Sequence, residues 1–354
     1  MKMNKNVFGQ RIVPFIRRIE GIGNLVSLFS KSKAYNAGRL YEACMIYEKM
    51  LEDNTTICLT LSGAFTPTGL GGFVISLIEK GLVDFIISTG ANLYHDMHFA
   101  LDLPVYQGDF RVKDDDLLKR GIVRIYDIFI PKDTLLKTDD FIRNSLKDFS
   151  PKEPISSADL HKFLGEILLK KSKHPEYSIL ATAAKHDLPI YTPSPGDSSI
   201  ALNTASLKLE GKKFFLDPDR DVLETSAIVF SSKKNGAIEI GGGAPKNFYM
   251  QTQPMLDQIL SLGRKGHDYF IQITTDAPQW GGLSGATPNE AVSWGKINPK
   301  SIGNSTVVYC DFTIASPILF SYILEKYKEG KELKRLYKRR NKLLIDLKRG
   351  IKIK

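Results

Sequence analysis

Short apolar runs that alternate with helical patterns constrain the fold of this 354-residue chain most strongly. Residues 57–61 form an apolar run, residues 69–80 have a helical pattern that stops at Gly81, and residues 83–88 form the next apolar run. Short apolar strands joined by crossover helices are typical of a parallel sheet covered on both faces. We predict further strands at residues 188–191, 227–230, 237–240, 269–273 and 306–311. The predicted fold class is therefore α/β, a doubly wound, mainly parallel, Rossmann-like sheet with flanking helices.

Three parts are predicted along the chain. Residues 1–35 contain Pro14 and several basic residues and are predicted to form an N-terminal arm with a short helix. Residues 36–325 are predicted to form one domain, which begins with a helix over residues 36–53. Residues 110–165 are richer in Lys and Asp, and we interpret them as an insertion of helices and loops. Residues 326–354 are predicted to be a basic C-terminal helix or tail.

The net charge of +10 is concentrated at the C-terminus, because residues 326–354 hold thirteen Lys and Arg against three acidic residues. A nucleic-acid-binding protein usually carries such charge on its folded body, so a nucleic-acid partner is not predicted. Leucines are interspersed among these charges. The favoured interpretation is an amphipathic helix packed on the body or on a neighbouring subunit. An arm that binds RNA or anionic lipid is the alternative.

Composition also limits the location and the chemistry. The chain has no apolar run long enough for a transmembrane helix, and its N-terminus lacks the apolar segment of a secretory signal. Cys44, Cys58 and Cys310 are too scattered for a disulfide framework or a zinc site, which favours a cytoplasmic location. His95 and His98 have the spacing of one helix face. Nothing supplies obvious further ligands, so no metal site is predicted.

Polar or glycine residues follow several of the predicted strands. In doubly wound sheets, ligands bind beyond the carboxyl ends of the strands. The triple glycine 241–243 is consistent with a plain turn or with backbone that meets a pyrophosphate or ribose, although it is not the usual GxGxxG fingerprint. Asp197 is consistent with a helix cap or with an acceptor for a ribose hydroxyl, and Asp311 has the same two interpretations. The residues at strand ends are Thr89, Asp197, Gly241, Thr275 and Asp311.

Lys296 stands in a run of unusual composition, two residues after Trp294 and six after Glu290. An isolated lysine is usually an ordinary surface residue. A lysine buried against an aromatic wall has a lowered pKa and can form a Schiff base. Trp280 and Trp294, the only tryptophans, are consistent with core packing or with a cation–π contact to an ammonium group.

These residues carry a resemblance to a known family. The segment 290–297, the strand end at Thr89, the stretch 189–193 with Asp197, the triple glycine 241–243 and Asp311 resemble deoxyhypusine synthases over roughly residues 40–320. The resemblance implies an NAD-dependent aminobutyl transfer. NAD takes a hydride from a polyamine such as spermidine, the active-site lysine carries the aminobutyl group as an imine, and an acceptor amine receives it before reduction.

The resemblance also implies roles for individual residues. Lys296 would be the nucleophile, Glu290 would bind or orient an amine, and Trp294 would wall the pocket and help lower the lysine pKa. The family forms homotetramers with sites at subunit interfaces, so an oligomer is expected. The residues expected to bind NAD are Thr89, Gly90, Asp197, Gly241, Gly242, Gly243, Thr275, Asp276 and Asp311.

The amine pocket departs from the family pattern at its acidic positions. Tyr94 and His95 replace paired acids, Leu202 and Leu283 replace aspartates, and Asn247 replaces a histidine. Desolvated ammonium groups need carboxylate partners. The departures therefore predict an amine that is shorter, less charged or bound differently, with Asp276, Asp96 and the face of Trp280 as partial replacements. The residues predicted to bind substrate are His95, Asn247, Trp280 and Leu283.

The function predicted is an NAD-dependent transferase that moves an aminobutyl group from a polyamine-type donor through an imine on Lys296. The alternatives within the same chemistry are a homospermidine or related small-polyamine synthase and a true deoxyhypusine synthase acting on a protein lysine. A catalytically inactive NAD-binding protein with a basic interaction tail is the alternative from another class. The presence of both Lys296 and Glu290 argues against it.

Overall fold

The computed structural model describes residues 21–32 and 34–352, and its centre is a six-stranded parallel sheet. The strands of the described chain are β1 (Thr56–Leu61), β2 (Phe85–Ser88), β3 (Tyr106–Gln107), β4 (Ile122–Ile125), β5 (Ile128–Pro131), β6 (Ile190–Tyr191), β7 (Asn235–Ile240), β8 (Tyr269–Thr274) and β9 (Ser305–Tyr309). The order in the large sheet is β6-β2-β1-β7-β8-β9, with every pairing parallel. The chain direction across the sheet reverses between β1 and β7. The doubly wound α/β fold is therefore confirmed.

Helices cover both faces of this sheet, and a hydrophobic cluster lies beneath each layer of helices. The strands β1, β2, β7 and β8 are buried along their whole length, as expected for a parallel sheet between two helical layers. The helices are α1 (Gly21–Ser32), α2 (Tyr35–Glu52), α3 (Gly71–Glu79), α4 (Gly90–Ala100), α5 (Asp114–Lys119), α6 (Lys132–Leu146), α7 (Ser157–Lys171), α8 (Ile179–Lys185), α9 (Ser199–Leu209), α10 (Pro218–Phe230), α11 (Gly243–Met250), α12 (Thr252–Pro254), α13 (Pro288–Ser293), α14 (Phe312–Lys326) and α15 (Leu336–Lys352).

One predicted strand is wrong, because residues 227–230 form the last turn of α10. The helix starts at Asp217, whose side chain accepts hydrogen bonds from the backbone N–H groups of Asp219 and Arg220, and Pro218 occupies the first helical position. Ala227, Ile228 and Val229 are buried against the sheet. A four-residue apolar run at the end of a buried helix has the same composition as a buried strand.

The insertion over residues 110–165 contains strands that the sequence did not predict. β5 pairs antiparallel with both β3 and β4 to make a separate three-stranded sheet. The β4–β5 hairpin turns at Tyr126, which has a positive φ of 52°. These strands are short and mostly half-buried, so they lack the continuous apolar character that marks the central strands.

The basic C-terminal segment packs on the body of the protein. Helix α15 lies against α10 and buries Leu336, Leu343 and Leu347. Arg340 is also buried, and its guanidinium contacts the carboxylates of Glu224 at 2.8 Å and Asp159 at 2.6 Å. Within the described residues, no helix is both long and apolar enough to cross a membrane. The N-terminal arm predicted for residues 1–35 is described only from Gly21, where α1 packs against α2 and α14.

Candidate active site

The backbone of Lys296 is held between α13 and the start of β8. Its N–H donates to the carbonyl of Ala291 at 2.9 Å, and its carbonyl accepts from the N–H of His267 at 2.9 Å. Gly295, with φ of 66°, makes the turn that follows α13. The Nζ atom of Lys296 then donates to Oδ1 of Asn247 on α11 at 3.0 Å. The position of Lys296 is thus fixed by both the main chain and a side-chain partner.

Burial lowers the pKa of Lys296, and the carboxylates of Glu290 and Glu239 oppose that change. The Nζ atom lies 5.7 Å from the centre of the Trp294 ring. A ring face at this distance favours the ammonium form, so the lowering of the pKa comes from desolvation in the pocket as a whole. The Trp294 side chain itself is 67% exposed.

Lys296 lines a cavity of about 300 Å³ with a largely apolar wall. The polar groups that reach this cavity include both lysines at positions 246 and 296, with Glu290 as the carboxylate that lines it. Two of the residues predicted to bind substrate, Asn247 and Leu283, line it as well. Its apolar lining consists of Met250, Phe270, Leu283, Ala286, Ala291 and Trp294.

The sequence did not point to Lys246, although it precedes Asn247 directly. Lys246 is only 5% exposed, and its Nζ donates to Oε1 of Gln272 at 2.8 Å and to the carbonyl of Ala286 at 2.7 Å. Burial lowers its pKa. A helical lysine one turn after a triple glycine was the available signal, but only the packing of α11 on β8 reveals its burial.

A second cavity, of about 360 Å³, opens at the carboxyl ends of β1, β7, β8 and β9. The Gly242 N–H donates to Oγ of Ser62 at 2.7 Å, and the Gly243 N–H donates to Oγ of Ser284 at 2.9 Å. A Cβ atom on Gly242 would lie 2.6 Å from the Cα of Ser284, so this close approach requires glycine. The predicted cofactor residues that line this cavity are Gly241, Gly242, Thr275, Asp276 and Asp311.

Thr89, Gly90 and Asp197 lie at the ends of β2 and β6, on the same edge of the sheet. A Cβ atom on Gly90 would lie 2.5 Å from Oγ of Ser198, so the loop that contains Asp197 packs directly on the start of α4. The N-cap of α9 is Ser198, which leaves Asp197 exposed and excludes the capping interpretation. Asp311 differs, because its Oδ1 accepts from the Thr313 N–H at 2.7 Å and caps α14.

The predicted amine ligands on α4 do not line the Lys296 cavity within this chain. Nδ1 of His95 lies 3.1 Å from Nε2 of His98, and burial lowers the pKa of His95 to about 4. The carboxylate of Asp96 accepts from Ser178 Oγ at 2.6 Å and from the Ile179 N–H at 2.8 Å. Asp96 therefore caps α8, and its predicted role as a replacement amine ligand is wrong.

Trp280 also lies outside the lining of that cavity, with its side chain 69% exposed on the loop after β8. The histidine pair at positions 95 and 98 belongs to no larger ligand set: the residues described contain no group of three or more His, Cys, Asp or Glu side chains arranged to hold a metal ion.

Comparisons with known proteins identify the family of this chain. The family model described as deoxyhypusine synthase matches residues 24–323. The chain belongs to the deoxyhypusine synthase family. It is 44% identical over 349 residues to a deoxyhypusine synthase-like protein of Nostoc punctiforme, covering 96% of this chain and 89% of that protein. It is 36% identical over 333 residues to a probable deoxyhypusine synthase 2 of Methanosarcina acetivorans, covering 94% and 95%.

A solved structure extends the comparison to the fold. The crystal structure of a putative deoxyhypusine synthase from Entamoeba histolytica superposes with a TM-score of 0.57 at 16% identity, covering 86% of this chain and 92% of that one. Membership of the deoxyhypusine synthase family supports an aminobutyl transferase at the family level. The family membership predicted from the sequence, including the segment around Lys296, is therefore confirmed.

Proposed function

We propose that this protein is an NAD-dependent transferase that carries an aminobutyl group from a polyamine-type donor to an acceptor amine as an imine on Lys296. The observation that carries the proposal is the Lys296 amine itself. It faces a largely apolar cavity, its pKa is lowered by burial, and Asn247 Oδ1 fixes its position at 3.0 Å. A neutral, oriented amine is what Schiff-base formation requires.

The glycine-lined cavity at the carboxyl ends of the strands is our candidate cofactor site. Gly241 and Gly242 pack against Ser62 and Ser284 too closely for a side chain, and both glycines line the cavity. A glycine-lined strand end is a surface that a pyrophosphate or ribose can approach closely. Thr275, Asp276 and Asp311 would add hydrogen-bond partners there. NAD, when bound, would accept a hydride from the donor amine and later return it to the transferred group. Thr89, Gly90 and Asp197 would extend the site along the same edge.

The charges of the Lys296 cavity argue for a donor with a single charged end in contact with Glu290. Glu290 is the carboxylate that lines the cavity, whereas Lys246 and Lys296 contribute two amines. A second charged end on the donor would lack a partner here, which is unfavourable in a desolvated site. The apolar wall that includes Met250 and Leu283 suits the methylene chain. This arrangement favours a short diamine as the donor, and a small-polyamine synthase is the second candidate function.

The surroundings of the cavity also support an oligomer. Trp280, Leu283 and Trp294 are 69%, 52% and 67% exposed beside the site. Large apolar side chains clustered on a surface mark a contact with another molecule. We propose that a second copy of this chain covers them, and that the enzyme assembles as a homotetramer with its sites at subunit interfaces. His95 would then contribute from a neighbouring subunit.

Trapping the covalent intermediate tests this function. The purified protein is incubated with NAD and, separately, with spermidine, putrescine or agmatine, then reduced with borohydride and weighed intact. We expect an aminobutyl-sized mass gain that maps to Lys296. Lys296→Ala abolishes it, and Lys300→Ala, which removes an exposed lysine nearby, leaves it unchanged. Protein that binds NAD and forms no adduct with any of the three amines would contradict the proposed transfer.

A further inference from the structure

Glu239 is a buried acid in the centre of the sheet. It lies on β7 with Thr60 of β1 and Gln272 of β8 as its neighbours in register. It is fully buried, and within the described residues neither carboxylate oxygen has a hydrogen-bond partner. The hydroxyl of Thr60 lacks a partner in the same way. Unsatisfied buried polar groups are rare and costly, so this pair calls for an explanation.

The row of side chains around Glu239 leads to Lys246, which lines the same cavity as Lys296. Gln272 accepts from Lys246 Nζ at 2.8 Å, and its own Nε2 donates to the carbonyls of Gly241 at 2.8 Å and Ser284 at 2.7 Å. Lys246 lines the cavity together with Lys296. The position of Glu239 therefore lies behind the amine site and beside the wall that separates it from the glycine-lined cavity.

We propose that Glu239 is a positioning residue for the chemistry at Lys296, whose buried carboxyl group acts across Lys246 on the charge of the Lys296 amine. The neutral acid favours the free amine, which is the form that can attack the imine carbon of the donor after hydride loss. The carboxylate favours the ammonium forms of both lysines. The catalytic role of Glu239 rests on the proposed function. The charge coupling between Glu239 and the lysines is independent of any cofactor or substrate. Neither Glu239 nor its neighbours Thr60 and Gln272 are among the residues that carry the family resemblance.

Electrostatics within the cluster agree with this role. Burial raises the pKa of Glu239 to about 8, and the charges of Lys246 and Lys296 oppose the rise. Burial lowers the pKa of each lysine, and the Glu239 carboxylate opposes that. The pKa of the acid and the pKa values of the two lysines are thus shifted towards one another. The outside charges that act on the two lysines are those of Glu290 on α13 and, for Lys246, Asp276 after β8. The cluster in turn shifts the pKa values of the ionisable groups packed against it, which are Cys58 on β1, Tyr249 on α11 and His267 before β8.

Stability should carry a signature of the same group. The pKa of Glu239 in the folded chain, about 8, is above its ordinary value of 4.5. The folded state therefore holds this proton to higher pH than the unfolded state. The contribution of Glu239 to the free energy of unfolding is greatest below pH 4.5 and declines as the pH rises through about 8. Glu239→Gln keeps the shape of the neutral acid and removes this decline.

Competitive labelling of lysines measures the proposed coupling without NAD or any polyamine. The protein is exposed to trace acetic anhydride across a pH series, and acetylation of Lys296 and Lys246 is followed by peptide mass spectrometry. We expect Glu239→Gln to lower the midpoint for Lys296 by about one pH unit, since a nearby negative charge is lost. Thr60→Val, which removes the neighbouring unpaired hydroxyl but no charge, should leave the midpoint unchanged. An unchanged midpoint in Glu239→Gln would overturn the inference.

An infrared titration of the unsubstituted protein applies where Glu239→Gln does not fold. We expect the carbonyl band of a buried protonated carboxylic acid to disappear around pH 8 and to persist to higher pH in Lys246→Met, which removes an opposing positive charge. A band that titrates identically in both proteins would overturn the inference. A shifted Lys296 midpoint without any aminobutyl adduct would sustain the coupling and reject the transferase, so the two proposals fail separately.

Discussion

Asn247 is the side chain through which the chemistry at Lys296 can be tuned most directly. Its Oδ1 atom accepts from Lys296 Nζ at 3.0 Å, in a cavity largely walled by apolar groups. Asn247→Asp places a negative charge on that atom and stabilises the ammonium form. We expect the labelling midpoint of Lys296 to rise by about one pH unit, with a matching loss of amine reactivity at neutral pH. Gln251→Glu adds the same charge at the exposed rim and should shift the midpoint less. Equal shifts would contradict the specific hydrogen bond.

A substitution at Gly242 tests the candidate cofactor cavity through a steric effect, without a change of charge. A Cβ atom there would lie 2.6 Å from both the Cα and the Cβ of Ser284, so the loop after β8 must move to accommodate alanine. Overpacking of this kind costs about 1–3 kcal/mol. We expect Gly242→Ala to weaken NAD binding about tenfold or more in calorimetry. Gly303→Ala has no neighbour within 4 Å and serves as the control. Unchanged affinity in Gly242→Ala would place the cofactor elsewhere.

The residues that sequence reasoning found and missed differ in how they are related along the chain. Lys296, Trp294 and Glu290 fall within one short stretch, so their association is visible in the sequence. Glu239 and Lys246 join them only through the register of β7 against β8 and the packing of α11. Asp96 shows the opposite error. Its acidic side chain suggested an amine ligand, whereas the three hydrogen bonds that its carboxylate accepts cap α8.

Among the elements, strands were predictable where an apolar run ended in glycine or a polar turn, as at β1, β2 and β7. Residues 227–230 were not, because periodicity cannot separate four apolar residues of a strand from the last turn of a helix. The decisive signal was upstream, in the Asp-Pro pair that starts α10. The small antiparallel sheet of the insertion was missed for a different reason, since its strands are short and half-exposed.

Helix α15 is anchored by the buried ion pairs of Arg340, and loss of these ion pairs should lower the free energy of unfolding. The Arg340 guanidinium reaches Glu224, whose side chain is fully buried, and Asp159. Arg340→Met removes the buried cation of these carboxylates, while Arg220 still contacts Glu224 at 3.0 Å and Asp159 at 3.8 Å. We therefore expect a loss of about 1–3 kcal/mol in the free energy of unfolding measured with urea. Arg339→Met removes an exposed charge next to it and should change that free energy by no more than about 0.5 kcal/mol. Equal effects would mean that α15 is held by its leucines alone.

The topology of the sheet explains why one edge gathers the whole candidate site. Strands leave the centre in opposite directions from the switch between β1 and β7, so loops from both halves meet at their carboxyl ends. The glycine-lined cavity opens there, and the Lys296 cavity adjoins it across Ser284, Gln272 and Lys246. The basic C-terminal residues instead neutralise carboxylates of the body, as Lys334 does for Asp84 and Arg335 for Asp187. Part of the positive charge of this segment is therefore paired within the protein.

Fluorescence from the two tryptophans reports directly on the proposed assembly. Trp280 and Trp294 are the only tryptophans, and both are about two-thirds exposed in the isolated chain. If a second copy covers them, iodide will quench their emission weakly in the oligomer. Dilution below the dissociation constant should then raise the quenching, in parallel with the loss of oligomer in analytical ultracentrifugation. Trp280→Phe and Trp294→Phe assign the change to one side of the site. Full quenching of a sedimenting tetramer would place the subunit interface away from Lys296, and a monomer at all concentrations would remove the proposed assembly.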